Sequence, residues 1–137
     1  GRYIVGNTGV FLSTVLYRKT STEKNFLIVD GAMNDLIRPS LYQAYHEIKP
    51  LQQKSEDSIL VDVVGPVCET GDFFARDRWL PPLNSGDPLA LMNAGAYGFV
   101  AASNYNSRPR APEVWVDHDR FEIIRERESL DDCIRGE

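Results

Sequence analysis

Residues 10–31 read VFLSTVLYRKTSTEKNFLIVDG, and this stretch decides the fold class. Val10–Tyr17 is rich in β-branched and aromatic residues, Ser21–Asn25 is a polar turn, and Phe26–Asp30 is an apolar run that ends at Gly31. β-Branched and aromatic side chains favour strands because they pack well on a pleated surface. A short apolar run closed by glycine is typical of a buried strand. The stretch therefore predicts two neighbouring strands.

The strand pattern recurs along the rest of the chain. We predict further strands at 46–51, 59–67 and 88–92, and a β-hairpin with strands at 114–116 and 121–124. A short helix is expected around Pro39–Tyr42, since proline is tolerated at the first helical position, and Ser129 opens a capping-box pattern for a closing helix. Residues 52–57 are expected to form a polar loop. We predict a mainly β fold, a Greek-key-like antiparallel β-barrel or sandwich with one or two short helices.

Composition and charge narrow the classes of function. The 137 residues fit one domain, 1–137, and the net charge of −5 argues against nucleic acid, whose binding needs a basic surface. No apolar run approaches the roughly 20 residues that span a membrane. Cys68 and Cys133 are too few for a disulfide framework, so a reducing cytoplasm is expected. The start, Gly1-Arg2-Tyr3, lacks a methionine and a signal peptide and is interpreted as a cut inside a larger protein.

Three groups of residues carry possible chemistry. After a Gly-Pro step, Cys68 and Glu69 stand in a tight loop, where a thiol beside a carboxylate suits proton donation; an inert packed cysteine is the alternative. Tyr97 stands among small residues that allow a ligand to approach its phenol; a tyrosine packed in the barrel core is the alternative. Arg38 and Tyr42 are four residues apart, so on a helix they share a face suited to a carboxylate; a solvated helix face is the alternative.

Other residues give weaker signals. A Gly-Arg step at Gly1-Arg2 can bring backbone N–H groups and a guanidinium to a phosphate. Asp117-His118-Asp119 suggests a metal site only superficially, because consecutive side chains on a strand point in different directions. His46 shows no pattern that indicates a function.

Four motifs in order resemble the diaminopimelate decarboxylase family. Gly1-Arg2 resembles the end of the family's Glu-Pro-Gly-Arg motif, and residues 29–42 resemble its substrate-arginine segment. Cys68-Glu69-Thr70-Gly71-Asp72 is similar to the family's Cys-Glu-Ser-Gly-Asp motif, with threonine in place of the usual serine. Gly95-Ala96-Tyr97-Gly98 matches its cofactor-proximal tyrosine, and Tyr105–Arg110 fits the stretch that follows. The resemblance covers nearly the whole chain.

The resemblance implies an enzyme, a lyase that uses pyridoxal 5'-phosphate. The members of the family are fold-type III decarboxylases that convert meso-2,6-diaminopimelate to L-lysine in the last step of lysine biosynthesis. It further implies that this chain is the C-terminal β-domain, that an N-terminal barrel domain carries the Schiff-base lysine, and that the chain alone is inactive. None of Lys19, Lys24, Lys49 and Lys54 resembles that lysine. A cytoplasmic homodimer that shares its active sites is expected.

The resemblance also assigns roles. Cys68 would be the proton donor and Glu69 would bind the distal amino group, and both would reach the active site of the neighbouring subunit. Arg2, Arg38, Tyr42 and Tyr97 would bind substrate, and Gly1, Arg2 and Tyr97 would contact the cofactor. Asp72 matches the motif without an assigned role. Two alternatives stay open: a relative that acts on ornithine, arginine or carboxynorspermidine, or a non-catalytic dimerisation domain.

Overall fold

The predicted strands appear in a computed structural model that describes residues 1–52 and 57–136. Its strands are β1 (Phe11–Thr20), β2 (Asn25–Val29), β3 (Ile48–Pro50), β4 (Ile59–Val64), β5 (Phe73–Leu80), β6 (Pro88–Leu91), β7 (Glu113–Asp117) and β8 (Arg120–Arg125). The helices are α1 (Arg2–Val5), α2 (Arg38–Tyr42) and α3 (Leu130–Cys133), with 3-10 turns at Gly6–Thr8, Phe99–Ala101 and Tyr105–Ser107. Most of the predicted polar loop, including Lys54, lies outside the described residues.

One mixed sheet contains six of the described strands, in the order β3-β6-β1-β2-β4-β5. The long strand β1 has two partners: Phe11–Thr14 pairs antiparallel with β6, and Val15–Thr20 pairs antiparallel with β2. A register shift between Val15 and Tyr17 separates the two pairings, and such a bulge bends a strand. The sheet curls into a half-barrel, which confirms the mainly β prediction.

The pairing of β2 with β4 is parallel, whereas we expected antiparallel neighbours. A parallel pair needs a crossover connection of a dozen or more residues. The chain between Val29 and Ile59 supplies it and contains α2 and β3. This crossover matters for function, because it carries several of the candidate site residues.

The hydrophobic core lies within the curled sheet. It is formed by Val15, Leu27, Val29, Leu36, Ile48, Val61, Val63, Phe74, Ala75, Leu80, Leu83, Leu89 and Leu91. The sequence pattern did not predict β5, because Arg76, Asp77 and Arg78 interrupt the apolar residues of this strand. Asp77 has a φ of 49° there, and its N–H donates to Asp62 Oδ1 at 2.7 Å. A buried carboxylate on β4 therefore holds the irregular part of β5.

The C-terminal elements follow local sequence signals. The predicted hairpin is confirmed as β7 and β8, which pair antiparallel in a separate two-stranded sheet. The capping box is confirmed at α3, where the Ser129 side chain accepts from the Asp132 N–H and the Asp132 carboxylate accepts from the Ser129 N–H. Cys68 and Cys133 are both free thiols. In the part of the chain that the structure describes, no helix is long and apolar enough to cross a membrane.

Candidate functional site

Helix α2 places Arg38 between two phenol rings. Arg38 starts the helix and is only 9% exposed. Its Cζ atom lies 5.8 Å from the centroid of the Tyr42 ring and 5.8 Å from that of the Tyr97 ring. The predicted shared face of Arg38 and Tyr42 is thus confirmed, and both tyrosine rings are more than half exposed. A guanidinium held between phenols presents N–H donors suited to a carboxylate.

The turn that presents Tyr97 depends on close backbone packing. Tyr97 has a φ of 61°, and a left-handed conformation costs a non-glycine residue roughly 1–2 kcal/mol. A Cβ added at Gly95 would lie 2.2 Å from the Val5 carbonyl oxygen and 2.7 Å from the Gly9 nitrogen. Gly95 therefore admits this chain's own N-terminal segment on one side of the turn, while the Tyr97 side chain stays half exposed.

That packing brings Arg2 to the same region. The Gly95 N–H donates to the Gly6 carbonyl at 3.0 Å, and the Ala94 N–H donates to the Gly9 carbonyl at 2.8 Å. Two backbone hydrogen bonds thus attach the Tyr97 turn to the segment that follows α1. Arg2 is the first residue of α1. We call Arg2, Arg38, Tyr42 and Tyr97 the arginine cluster.

His46 lies next to the arginine cluster, although its sequence context gave no sign of it. The ring is 2% exposed, and Nδ1 lies 2.8 Å from the Met92 carbonyl oxygen. Because a carbonyl only accepts, Nδ1 carries the hydrogen in that bond. Nε2 has no hydrogen-bond partner among the described residues. Burial lowers the pKa of His46, and the positive charges of Arg38 and Arg2 lower it further, so the imidazole is neutral at neutral pH.

Asp72 organises the loop that contains Cys68 and Glu69. Its carboxylate accepts from the Val67 N–H at 2.6 Å and from the Met33 N–H at 2.7 Å. Asp72 is 4% exposed, and burial raises its pKa more than the two backbone bonds lower it. A Cβ at Gly65 would lie 2.4 Å from Asp72 Oδ2. The motif's aspartate is therefore a clamp between this loop and the start of the crossover.

Cys68 and Glu69 are both exposed on this loop, as a site for an external substrate requires. The Tyr105 hydroxyl donates to Glu69 Oε1. This bond and the negative charge of Glu69 raise the pKa of Tyr105, and Cys68 contributes a smaller part of the shift. In the sequence, Tyr105 is indicated only by the motif that contains it. We call Cys68, Glu69 and Tyr105 the thiol cluster.

The two clusters stay apart within one chain. Among the described residues, no hydrogen bond, ion pair or ring contact joins Cys68 or Glu69 to the arginine cluster. Tyr97 lines a cavity of about 1120 Å³, whereas Glu69 lines a different cavity of about 300 Å³. The contacts of the described residues thus divide the candidate residues into two groups, which we call half-sites.

The exposed groups of the arginine cluster fit one edge of a phosphate-bearing aromatic cofactor. Arg2 offers a cation and Tyr97 a phenol, and nothing lies within 4 Å of a Cβ built at Gly1, so the approach there is open.

The described lysines do not fit the covalent anchor of such a cofactor. Lys24 is paired with Asp62 at 2.7 Å, Lys49 is paired with Glu47 at 3.4 Å, and Lys19 is exposed on β1. No group of three metal-ligating side chains occurs in residues 1–52 and 57–136.

Comparison with known proteins gives a consistent family. The sequence profile described as "Pyridoxal-dependent decarboxylase, C-terminal sheet domain" matches residues 2–95. Diaminopimelate decarboxylase from Aquifex aeolicus is 50% identical over 131 residues, which cover 96% of this chain and 31% of that protein. The Campylobacter jejuni enzyme of the same name is 51% identical over 134 residues, 98% of this chain and 33% of that protein. The chain therefore spans about a third of the length of these relatives.

Solved structures agree with the sequence relatives. The crystal structure of diaminopimelate decarboxylase from Helicobacter pylori complexed with L-lysine has a TM-score of 0.91 and 48% identity, covering 98% of this chain and 33% of that one. A lysine/ornithine decarboxylase from Vibrio vulnificus, complexed with cadaverine, has a TM-score of 0.72 and 23% identity, covering 81% of this chain and 30% of that one. The second likeness shows a shared fold alone.

Proposed function

This chain belongs to the family of C-terminal sheet domains of pyridoxal-dependent decarboxylases, and from that premise we propose that the whole protein is a diaminopimelate decarboxylase. It would release carbon dioxide from meso-2,6-diaminopimelate and form L-lysine, the last step of lysine biosynthesis. The observation that carries the proposal is the pair of half-sites: Arg38 beside two phenol rings in one, and an exposed thiol with a carboxylate in the other. Relatives named for this activity are 50% and 51% identical over nearly the whole chain.

The arginine cluster would bind the substrate. Arg38 and Tyr42 would hold one carboxylate, since a guanidinium fork matches a carboxylate in two hydrogen bonds. Arg2 and Tyr97 would lie where cofactor and substrate meet, with Gly1 beside them. Pyridoxal 5'-phosphate bound there would supply an electron sink for the carbanion that decarboxylation forms. The lysine that holds it would come from an N-terminal barrel domain.

The thiol cluster would complete the reaction. Cys68 would donate the proton that replaces the lost carboxylate on the substrate carbon, and Glu69 would bind the distal ammonium group. Within one chain these residues do not meet the arginine cluster. We propose that they reach the active site of a second copy, so that a cytoplasmic homodimer has two shared sites, each with one half-site from each subunit.

The charges of the two half-sites favour diaminopimelate over other basic amino acids. Diaminopimelate carries two carboxylates and two ammonium groups. Arg2 and Arg38 offer two cations for the carboxylates, and Glu69 offers an anion for the distal ammonium. Ornithine has no distal carboxylate, so one guanidinium would be left without a partner, which is costly in a desolvated site. A purely structural dimerisation domain would not require the exposed thiol or the paired carboxylate.

Carbon dioxide release by the intact protein, barrel domain included, tests the proposal. The protein is supplied with pyridoxal 5'-phosphate and either meso-diaminopimelate or L-ornithine. Release from meso-diaminopimelate alone is expected. Release from ornithine alone would assign a different substrate, and release from neither would overturn the assignment of diaminopimelate as the substrate. The mass of the protein in solution, measured by light scattering, tests the homodimer.

A further inference from the structure

Tyr105 carries a contact that the proposed function does not use. Its hydroxyl donates to Glu69 Oε1 across 36 positions of sequence. No described residue forms a hydrogen bond or ion pair with the other oxygen, Oε2, so that oxygen remains available to an external donor. A carboxylate held through one oxygen keeps a defined orientation while the second oxygen can accept from a cation.

The segment with Tyr105 is fixed at its base. The Arg108 side chain donates from Nε to Asn34 Oδ1 at 2.9 Å and from Nη2 to the Asp30 carbonyl at 2.6 Å. The Ser103 N–H donates to the Asn34 carbonyl at 2.9 Å, and Asn34 Nδ2 donates to the Ser103 carbonyl at 3.2 Å. Asn34 is 2% exposed. A buried residue therefore holds both ends of the Tyr105 turn.

The loop with Glu69 is attached to the same place. Asp72 accepts from the Met33 N–H at 2.7 Å, and Met33 precedes Asn34 in the chain. Two loops far apart in sequence thus share adjacent anchors on the crossover. Within the Tyr105 turn, Asn106 and Ser107 have φ values of 62° and 55°, a conformation that non-glycine residues adopt at a cost and that occurs preferentially at functional sites.

We propose that Tyr105 is a positioning residue that orients Glu69 toward the distal ammonium group of a diamino acid. The inference rests on the proposed function and deepens it, since it names what sets the direction of the ammonium-binding carboxylate. Loss of the hydroxyl would leave Glu69 in place but free to rotate. Substrate binding would weaken, whereas the chemical step, which depends on Cys68 and the cofactor, would change little.

A double-mutant cycle in the intact protein tests the inference. Tyr105→Phe, Glu69→Gln and the double variant are compared for carbon dioxide release from meso-diaminopimelate. Tyr105→Phe is expected to raise KM about tenfold with kcat within about twofold, the lower end of what a hydrogen bond to a charged group provides. In the Glu69→Gln background the same change should alter KM by less than about twofold. Tyr17→Phe, at an exposed tyrosine of β1, is the matched control and should leave both constants unchanged.

A second readout does not depend on turnover. In protein labelled with 3-fluorotyrosine, the fluorine resonance that disappears in Tyr105→Phe belongs to Tyr105. Its titration is expected to move to lower pH in Glu69→Gln, since Glu69 raises the pKa of Tyr105. An unchanged titration would overturn the contact.

The kinetic outcomes separate the two proposals. If the wild type turns over normally and Tyr105→Phe has the same KM, the positioning role of Tyr105 is overturned while the proposed function stands. An equal rise in KM with and without Glu69→Gln would show that Tyr105 acts independently of Glu69, which also overturns it. If the wild-type protein does not turn over meso-diaminopimelate, the proposed function is overturned, and with it the binding of the distal ammonium group by Glu69.

Discussion

Asp72 offers the most direct test of how the fold builds the thiol cluster. Its carboxylate accepts from the Met33 and Val67 N–H groups at 2.7 and 2.6 Å in a buried setting. In Asp72→Asn the amide can accept only one of these bonds, and its NH2 group faces the other donor. A buried donor left unpaired costs about 1–3 kcal/mol. The free energy needed to open the loop should therefore fall by roughly that amount, and by up to about twice as much in Asp72→Ala, where both donors lose their acceptor.

Amide hydrogen exchange of the intact protein measures this opening. A loss of 1–3 kcal/mol corresponds to exchange that is roughly 5- to 150-fold faster at peptides containing Met33 and Val67. Asp119→Asn is the matched control, since Asp119 lies exposed at the hairpin tip and should leave both peptides unchanged. Unchanged exchange in Asp72→Asn would refute the assignment of Asp72 as the shared acceptor.

A second substitution checks the same clamp from the other side. Gly65→Ala would place a Cβ 2.4 Å from Asp72 Oδ2, so it should also accelerate exchange at Val67. In the Asp72→Ala background that clash is absent, and Gly65→Ala should add little. Additive effects of the two changes would contradict the close contact, because residues in contact are expected to be coupled.

Three further predictions concern other parts of the molecule. Cys68→Ala in the intact protein should lower kcat by orders of magnitude while the absorbance of the bound cofactor persists, and normal turnover would remove Cys68 from proton donation. Gly95→Ala should raise KM and lower the melting temperature of the intact protein, because its Cβ would lie 2.2 Å from the Val5 carbonyl oxygen; wild-type values would contradict that packing. Hydrogen bonds from Arg110 lower the pKa of Glu128 from 4.5 to about 2. The stabilisation that the ionised Glu128 gives the folded protein is therefore complete above pH 4.5 and is lost as the pH falls toward 2. Because solvent screens this partly exposed pair, we expect Glu128→Gln to lower the free energy of unfolding by about 1 kcal/mol at neutral pH. Urea unfolding of the variant and the wild type should show a difference in this free energy that shrinks toward low pH. A difference that stays constant with pH would exclude this linkage.

Local patterns predicted much of the fold. The strands β1 and β2, the hairpin of β7 and β8 and the capping box at Ser129 all follow from residues close together in sequence. The shared face of Arg38 and Tyr42 also follows from spacing, because a helix brings positions four apart together. Strand β5 was missed because its charged residues conceal the pattern, and their partners lie on other elements.

The site was predicted in part. The residues that resemble family motifs were identified from sequence, and their roles remain predictions. What the motifs did not indicate was their arrangement: the segment that follows Arg2 packs on the Tyr97 turn because Gly95 lets the two backbones touch. His46 gave no signal, since nothing around it in sequence indicates that its ring is buried where the charges of Arg38 and Arg2 lower its pKa.

The sequence by itself determined the mainly β class, the short helix with Arg38 and the identity of the chemical groups, because these depend on side-chain type and on spacing within a few residues. Only the tertiary structure decided the parallel pairing of β2 with β4, the clamp made by Asp72 and the bond between Tyr105 and Glu69. Each of these joins residues that are many positions apart. Their meeting depends on how the crossover packs on the curled sheet, and no local pattern records that packing.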